Sequence, residues 1–101
     1  MKLSLPLKLE GYVVDVLLRD LVGHDRSPAA FLVYLSLYSL TYAVMRRSAR
    51  LSLKQLAERT GLSKSAVQAA LRVLLRRQLV RAHHASRTAV PEYLVLRPWA
   101  R

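Results

Sequence analysis

The stretch Leu51-Ser52-Leu53-Lys54-Gln55-Leu56-Ala57-Glu58-Arg59-Thr60-Gly61-Leu62-Ser63-Lys64-Ser65-Ala66-Val67-Gln68-Ala69-Ala70-Leu71 holds two helix starts and one helix stop. Ser52 can accept from the backbone N–H three residues on, and Gln55 can return the bond, forming a capping box. Gly61 can take the left-handed conformation that ends a helix, and Ser63 offers the next cap. The spacing predicts a short helix through Thr60, a turn at Gly61 and a longer helix over about 64–78, the layout of a helix-turn-helix. Leu56 and Ala57 face inward, Leu62 plugs the turn, and Val67, Ala70, Leu71 and Leu74 form the inner stripe of the second helix. At about 100° per residue the opposite face carries Ser65, Gln68, Ala69, Arg72 and Arg76, with Lys64 at its N-terminal edge. Those are side chains suited to reading base edges or phosphates when one helix lies in a major groove.

Outward from this unit, Leu79 to Ala85 reads as a strand, Ser86-Arg87-Thr88 as a turn, and Val90 to Leu96 as a second strand. Pro91 gives that second strand an edge position or a late start. Upstream, Ser27 can cap a helix and Pro28 suits its first position, predicting a helix over about 28–46. One stripe of it holds Phe31, Tyr34, Tyr38, Tyr42 and Met45; another holds Val33, Leu37, Leu40 and Val44. A helix apolar on two faces is buried on two faces. The second face is assigned to a partner subunit, making Phe31, Tyr34, Tyr38 and Tyr42 a dimer seam; the N-terminal segment folding back over it is the competing reading. In residues 12–22 the spacing of Val13, Leu17 and Leu21 favours a helix, whereas β-branched Val13, Val14 and Val16 oppose one. Gly23 would end it, and His24-Asp25-Arg26 reads as a turn.

The run 51–71 resembles the winged helix-turn-helix of MarR-type and GntR-type bacterial regulators, and the DNA-binding modules of some plasmid and phage replication initiators. Leu79-Val80 and the basic hairpin after it are similar to the wing of that family, and the 28–46 helix stands where its first core helix does. The likeness covers about 51–96. Gln78 departs from it, since such sequences usually have Gly before the Leu-Val pair. The resemblance implies that the helix opened by Ser63, with Lys64, Ser65, Gln68, Arg72 and Arg76, enters the major groove. It places wing residues Arg81, His83, His84 and Arg87 along phosphates or in a minor groove. Arg46, Arg47, Arg50, Lys54 and Arg59 are then backbone contacts, which position the protein without specifying sequence.

Charge points the same way. Seventeen Lys and Arg against six Asp and Glu give a formal net charge of +11, and the sequence pI is about 11.1. Residues 1–45 hold four cations and four acids; residues 46–101 hold all of the excess. A charge of that size on 101 residues calls for a polyanion. Ser27 to Met45 lacks charge over a length that could span a bilayer, but Ser36, Ser39 and Thr41 in its middle favour a core helix. The N-terminus, broken by Pro6, Lys8 and Glu10, is no signal peptide.

The absence of Cys excludes disulfides and thiolate zinc sites. His83 and His84, adjacent in a strand, point to opposite faces and cannot chelate one ion. No paired carboxylates, Gly-rich phosphate loop or nucleophile–base arrangement suggests catalysis. The sequence therefore predicts a mainly α fold with a small β-hairpin wing, one winged-helix domain over 1–101. Its parts are a core and dimerisation region (1–46), a helix-turn-helix (51–78) and a wing (79–97). The expected function is sequence-specific binding of double-stranded DNA by a homodimeric transcriptional regulator of the prokaryotic cytoplasm, associated with the nucleoid. It is expected to have no metal, cofactor or catalytic residue, and its small-molecule effector is unassigned. A replication-initiation or partition module is the alternative, and a protein-interaction or RNA-binding winged helix is the rival of another class.

Overall fold

The computed structural model describes residues 6–100. The segment before α1 is helical, with π-helical turns at Val13–Leu17 and Asp20–His24. Residues four apart drift by about 40° on an α-helix, and the wider π turns take up that drift. Val13, Leu17 and Leu21 consequently stay on one line, and all three are buried. Three helices follow: α1 (Pro28–Leu40), α2 (Leu53–Thr60) and α3 (Lys64–Arg76). Strands β1 (Ser48–Arg50), β2 (Val80–His83) and β3 (Glu92–Val95) form an antiparallel sheet in the order β1-β3-β2.

The local signals act as read. The Ser27 hydroxyl accepts from Ala30 N at 3.2 Å. Ser52 and Gln55 close both bonds of the capping box, at 3.1 and 2.8 Å. Gly61 ends α2 with a φ of 78°. Gln78 ends the α3 turn with a φ of 57°, so it occupies the left-handed position that a glycine would fill without strain. Pro91 marks a late start: β3 begins at Glu92 and is the central strand.

Several features differ from expectation: the first helical segment runs through Gly23 to His24, and α3 ends at Arg76 rather than 78. Helix α1 stops at Leu40 rather than 46, because Thr41 turns away and its hydroxyl donates to the Leu37 carbonyl at 2.9 Å. A 3₁₀ turn (Tyr42–Val44) and Met45 at a φ of 59° then aim the chain into β1. That strand was not anticipated. It pairs Ser48 with Leu94 and Arg50 with Glu92, and the Ser48 hydroxyl donates to the Glu92 carboxylate at 2.6 Å. The wing strands are shorter than predicted, leaving 84–91 as the connecting loop.

The core joins Val33, Tyr34 and Leu37 of α1 to Leu56 of α2, Val67, Ala70 and Leu74 of α3, and Val80, Tyr93 and Val95 of the sheet. The tyrosine face of α1 is covered within the same chain. Phe31, Tyr34 and Tyr38 are buried and Tyr42 is half-buried. Tyr34 donates to the Leu96 carbonyl at 2.9 Å, and Tyr42 to the Val95 carbonyl at 2.8 Å. Tyr38 donates to the Glu10 carboxylate at 3.2 Å. The Arg97 guanidinium lies 4.0 Å from the centre of the Tyr42 ring and pairs with Glu10; Trp99 stacks on Tyr12 at 4.4 Å. The apolar demand that the sequence reading gave to a partner subunit is thus met by the N-terminal segment and by residues 95–99.

Candidate nucleic-acid interface

Helix α3 buries Val67, Ala70, Leu71 and Leu74, and this fixes which side chains face solvent. Lys64, Ser65, Gln68, Arg72 and Arg76 are all exposed on the other side. Ser63 is occupied as the cap, accepting from Ala66 N at 3.1 Å with Ser65 Oγ 3.2 Å away. The helix is therefore held firmly at the end that faces outward, and its longer arms stay free.

A groove of about 510 Å³ runs between α3 and the wing. Gln68, Arg72 and His84 line it, above apolar ground made by Leu71, Leu75 and Tyr93. This floor escaped the sequence reading; its only signal was Leu75, 41% exposed one position past the inner stripe. A polar, cationic rim on an apolar floor suits a surface that must meet both base edges and the apolar faces of sugars and thymine methyls.

Strand alternation divides the predicted wing residues. Val80 and Tyr93 point into the core and Ala82 packs against it, so Arg81 and His83 point to the outer face of the sheet. His84 is on the groove side, and Arg87 is exposed in the wing loop. Arg50 lies on the outer face with Arg81, and a shallow cleft lined by Arg46, Ser48, Arg50 and Glu92 extends that face past the β1 edge. Arg47 borders Leu94 of the same face. Lys54 is exposed on α2. Arg59 is held against α1, donating to Ser36 Oγ at 3.1 Å and Ser39 Oγ at 3.4 Å. The structure thus brings Gln68, Arg72 and His84 together. It sets Arg46, Arg47, Arg50, Arg81 and His83 apart from them.

Electrostatics follow from which cations are paired. Arg77 bonds Asp20 at 3.0 Å and Asp25 at 2.9 Å, and Arg97 bonds Glu10. Three of the four early acids are thereby spent on two arginines of the second half, a use the sequence did not reveal. Hydrogen bonds from Arg97 and Trp99 hold the Glu10 carboxyl below its ordinary pKa, while burial pushes the Tyr34 phenol upward. Lys64, Arg72, Arg76 and Arg87 have no ion-pair partner among the described residues. Among those residues, too, no three His, Asp or Glu gather as a metal-binding group, and no helix is long and apolar enough to cross a membrane.

Residues 42–88, just under half of the chain, match the model of the MarR family. Comparison with curated proteins and with solved structures gave no match. The matched segment contains β1, α2, α3, β2 and most of the wing loop, and so most of the groove lining; the rest of the loop and Tyr93 of β3 lie beyond it. With three helices stacked on a three-stranded antiparallel sheet, the chain has a winged helix-turn-helix fold, and the segment holding its helix-turn-helix is similar to the MarR family of transcriptional regulators.

Proposed function

We propose that the chain is a transcriptional regulator that binds double-stranded DNA sequence-specifically, with α3 in the major groove and the wing loop against the neighbouring backbone. The supporting observation is the convergence of Gln68, Arg72 and His84 on one groove beside Lys64 and Arg76, which have no ion-pair partner among the described residues. Gln and Arg are the side chains that can engage adenine and guanine edges in a bidentate way. Ser65 and Ala69 are small enough to let the helix backbone approach. Lys54 and Arg87 are phosphate contacts on either side.

The regulator acts as a homodimer through its N-terminal helix. Val14, Leu18 and Val22, at four-residue spacing beside the buried Val13-Leu17-Leu21 line, are 47%, 37% and 39% exposed. An exposed apolar stripe of this kind is suited to self-association in an isologous contact. A cytoplasmic site of action is part of this reading, on the likeness of residues 42–88 to a family of bacterial regulators.

The test is selection of bound duplexes from a random pool, with the mass of the complex measured on the winning site. A palindromic winner holding two chains is the expected result. Direct repeats would favour a replication role, and recovery of no preferred sequence would remove specific readout.

A further inference from the structure

The cations of the second half occupy two faces, and α3 accounts for one of them. With Tyr93, Val95 and Val80 turned into the core, the register sends Ser48, Arg50, Arg81, His83, Glu92 and Leu94 to the opposite side of the sheet. Arg46 and Arg47 extend this surface at the β1 edge. We propose that this outer sheet face is a second binding surface for duplex nucleic acid, so that one chain holds two duplex segments at once. The inference goes beyond the role given to α3.

Four guanidinium groups lie here against one carboxylate. Arg46, Arg47, Arg50 and Arg81 are exposed and have no ion-pair partner among the described residues. Glu92 is engaged by Ser48. Arg50 and Arg81 stand on the two outer strands, separated by β3. Two strand spacings put those strands about 10 Å apart. Long arginine arms from the two edges can reach phosphate rows on both sides of a groove about 12 Å wide. Guanidinium is also the cation whose fork fits phosphate oxygens in pairs.

The same duplex cannot serve both faces. DNA seated in the α3 groove meets the inner side of the hairpin, where Ala82 and Tyr93 line the groove. The sheet backbone then stands between that duplex and Arg81. Duplex DNA is stiff over about 150 base pairs, so a short segment does not wrap round the sheet. Partners other than nucleic acid fit less well. Leu94 is half-buried, and the exposed apolar residues Val44 and Met45 lie outside the sheet, in the turn before β1.

The experiment immobilises a duplex of ~16 base pairs, about one and a half helical turns, adds the full chain, and measures capture of a second, fluorescent duplex. In Arg50→Glu/Arg81→Glu, affinity for a single short duplex should stay within about twofold, while capture of the second falls about tenfold or more. Arg50→Lys/Arg81→Lys, which keeps the charge, should restore capture and guard against misfolding. Tenfold weaker binding of the single duplex by the Glu variant would show one duplex spanning both faces and overturn the proposal. Unchanged capture would overturn it too, assigning bridging to a dimer of α3 surfaces. So would Arg50- and Arg81-dependent retention on phosphatidylglycerol vesicles without any effect on duplex capture.

Discussion

The Trp99 indole N–H donates to the Glu10 carboxylate at 3.1 Å, joining residues 89 positions apart. Arg97 and Tyr38 bond the same carboxylate, so three donors from two segments favour its charged form. Its folded pKa is depressed below the ordinary 4.5. The stability it contributes is therefore complete above that value and is lost as pH falls through the lower, folded value. Glu10→Gln should be less stable at neutral pH, and its melting temperature should fall less steeply than that of the parent below about pH 4.5. Parallel acid-limb slopes in thermal melts at stepped pH would refute this.

Two left-handed positions carry opposite expectations. A Cβ at Gly61 meets no atom within 4 Å, so Gly61→Ala suffers only backbone strain, about 1–2 kcal/mol. Gln78 already bears such strain at a φ of 57°. Gln78→Gly should gain about 0.5–1 kcal/mol after the greater entropy loss of glycine is subtracted. Urea unfolding midpoints measure both, and the two shifts should have opposite sign.

Ser63 separates folding from binding. Ser63→Ala removes the cap of α3 and should cost about 1 kcal/mol. Ser63→Asp keeps a capping oxygen, so stability should hold. It also places a carboxylate on the face offered to phosphates, so duplex affinity should drop. Calorimetry and a binding titration on the same two variants check the split.

Lys64→Ala/Arg72→Ala should flatten the salt dependence of duplex affinity. Each lost phosphate contact reduces the slope of log affinity against log salt by about 0.9, and lost base contact at Arg72 relaxes preference at one or two positions. A uniform loss with no change of slope would move both residues out of the interface.

Leu18→Asp should halve the mass in light scattering while leaving the helical circular dichroism intact. Tyr38→Asp should instead unfold the chain, since Tyr38 is 3% exposed and sealed by Glu10. A folded, monomeric Tyr38→Asp would return the seam to α1.

The helix-turn-helix was legible because its determinants are local. Ser52, Gln55, Gly61 and Ser63 each act within four residues, and the α3 stripe follows from helix geometry alone. Strand β1 was not legible. Ser48-Ala49-Arg50 is three residues long with one small apolar side chain, and becomes a strand only by pairing with β3, more than forty positions away. The end of α1 and the fate of its tyrosines depend likewise on carbonyls at Val95 and Leu96. The early acids looked scattered because their partners, Arg77 and Arg97, stand far along the chain. In the wing, alternation already separated His83 from His84. The same alternation puts Arg81 with His83; only the register of β2 on β3, with Ala82 opposite buried Tyr93, showed that their shared face points away from α3.

The strap at residues 95–99 has a consequence for the order in which the molecule assembles. Its bonds to Tyr42, Tyr34 and Glu10 close loops of 53, 62 and 89 residues. Closing loops of that length costs entropy that local helix formation does not. During synthesis α2 and α3 can form as soon as they emerge, yet the aromatic side of α1 stays bare until nearly the last of the described residues has been made. The helix-turn-helix is thus ready early, and the strap that covers the aromatic side of α1 is finished last.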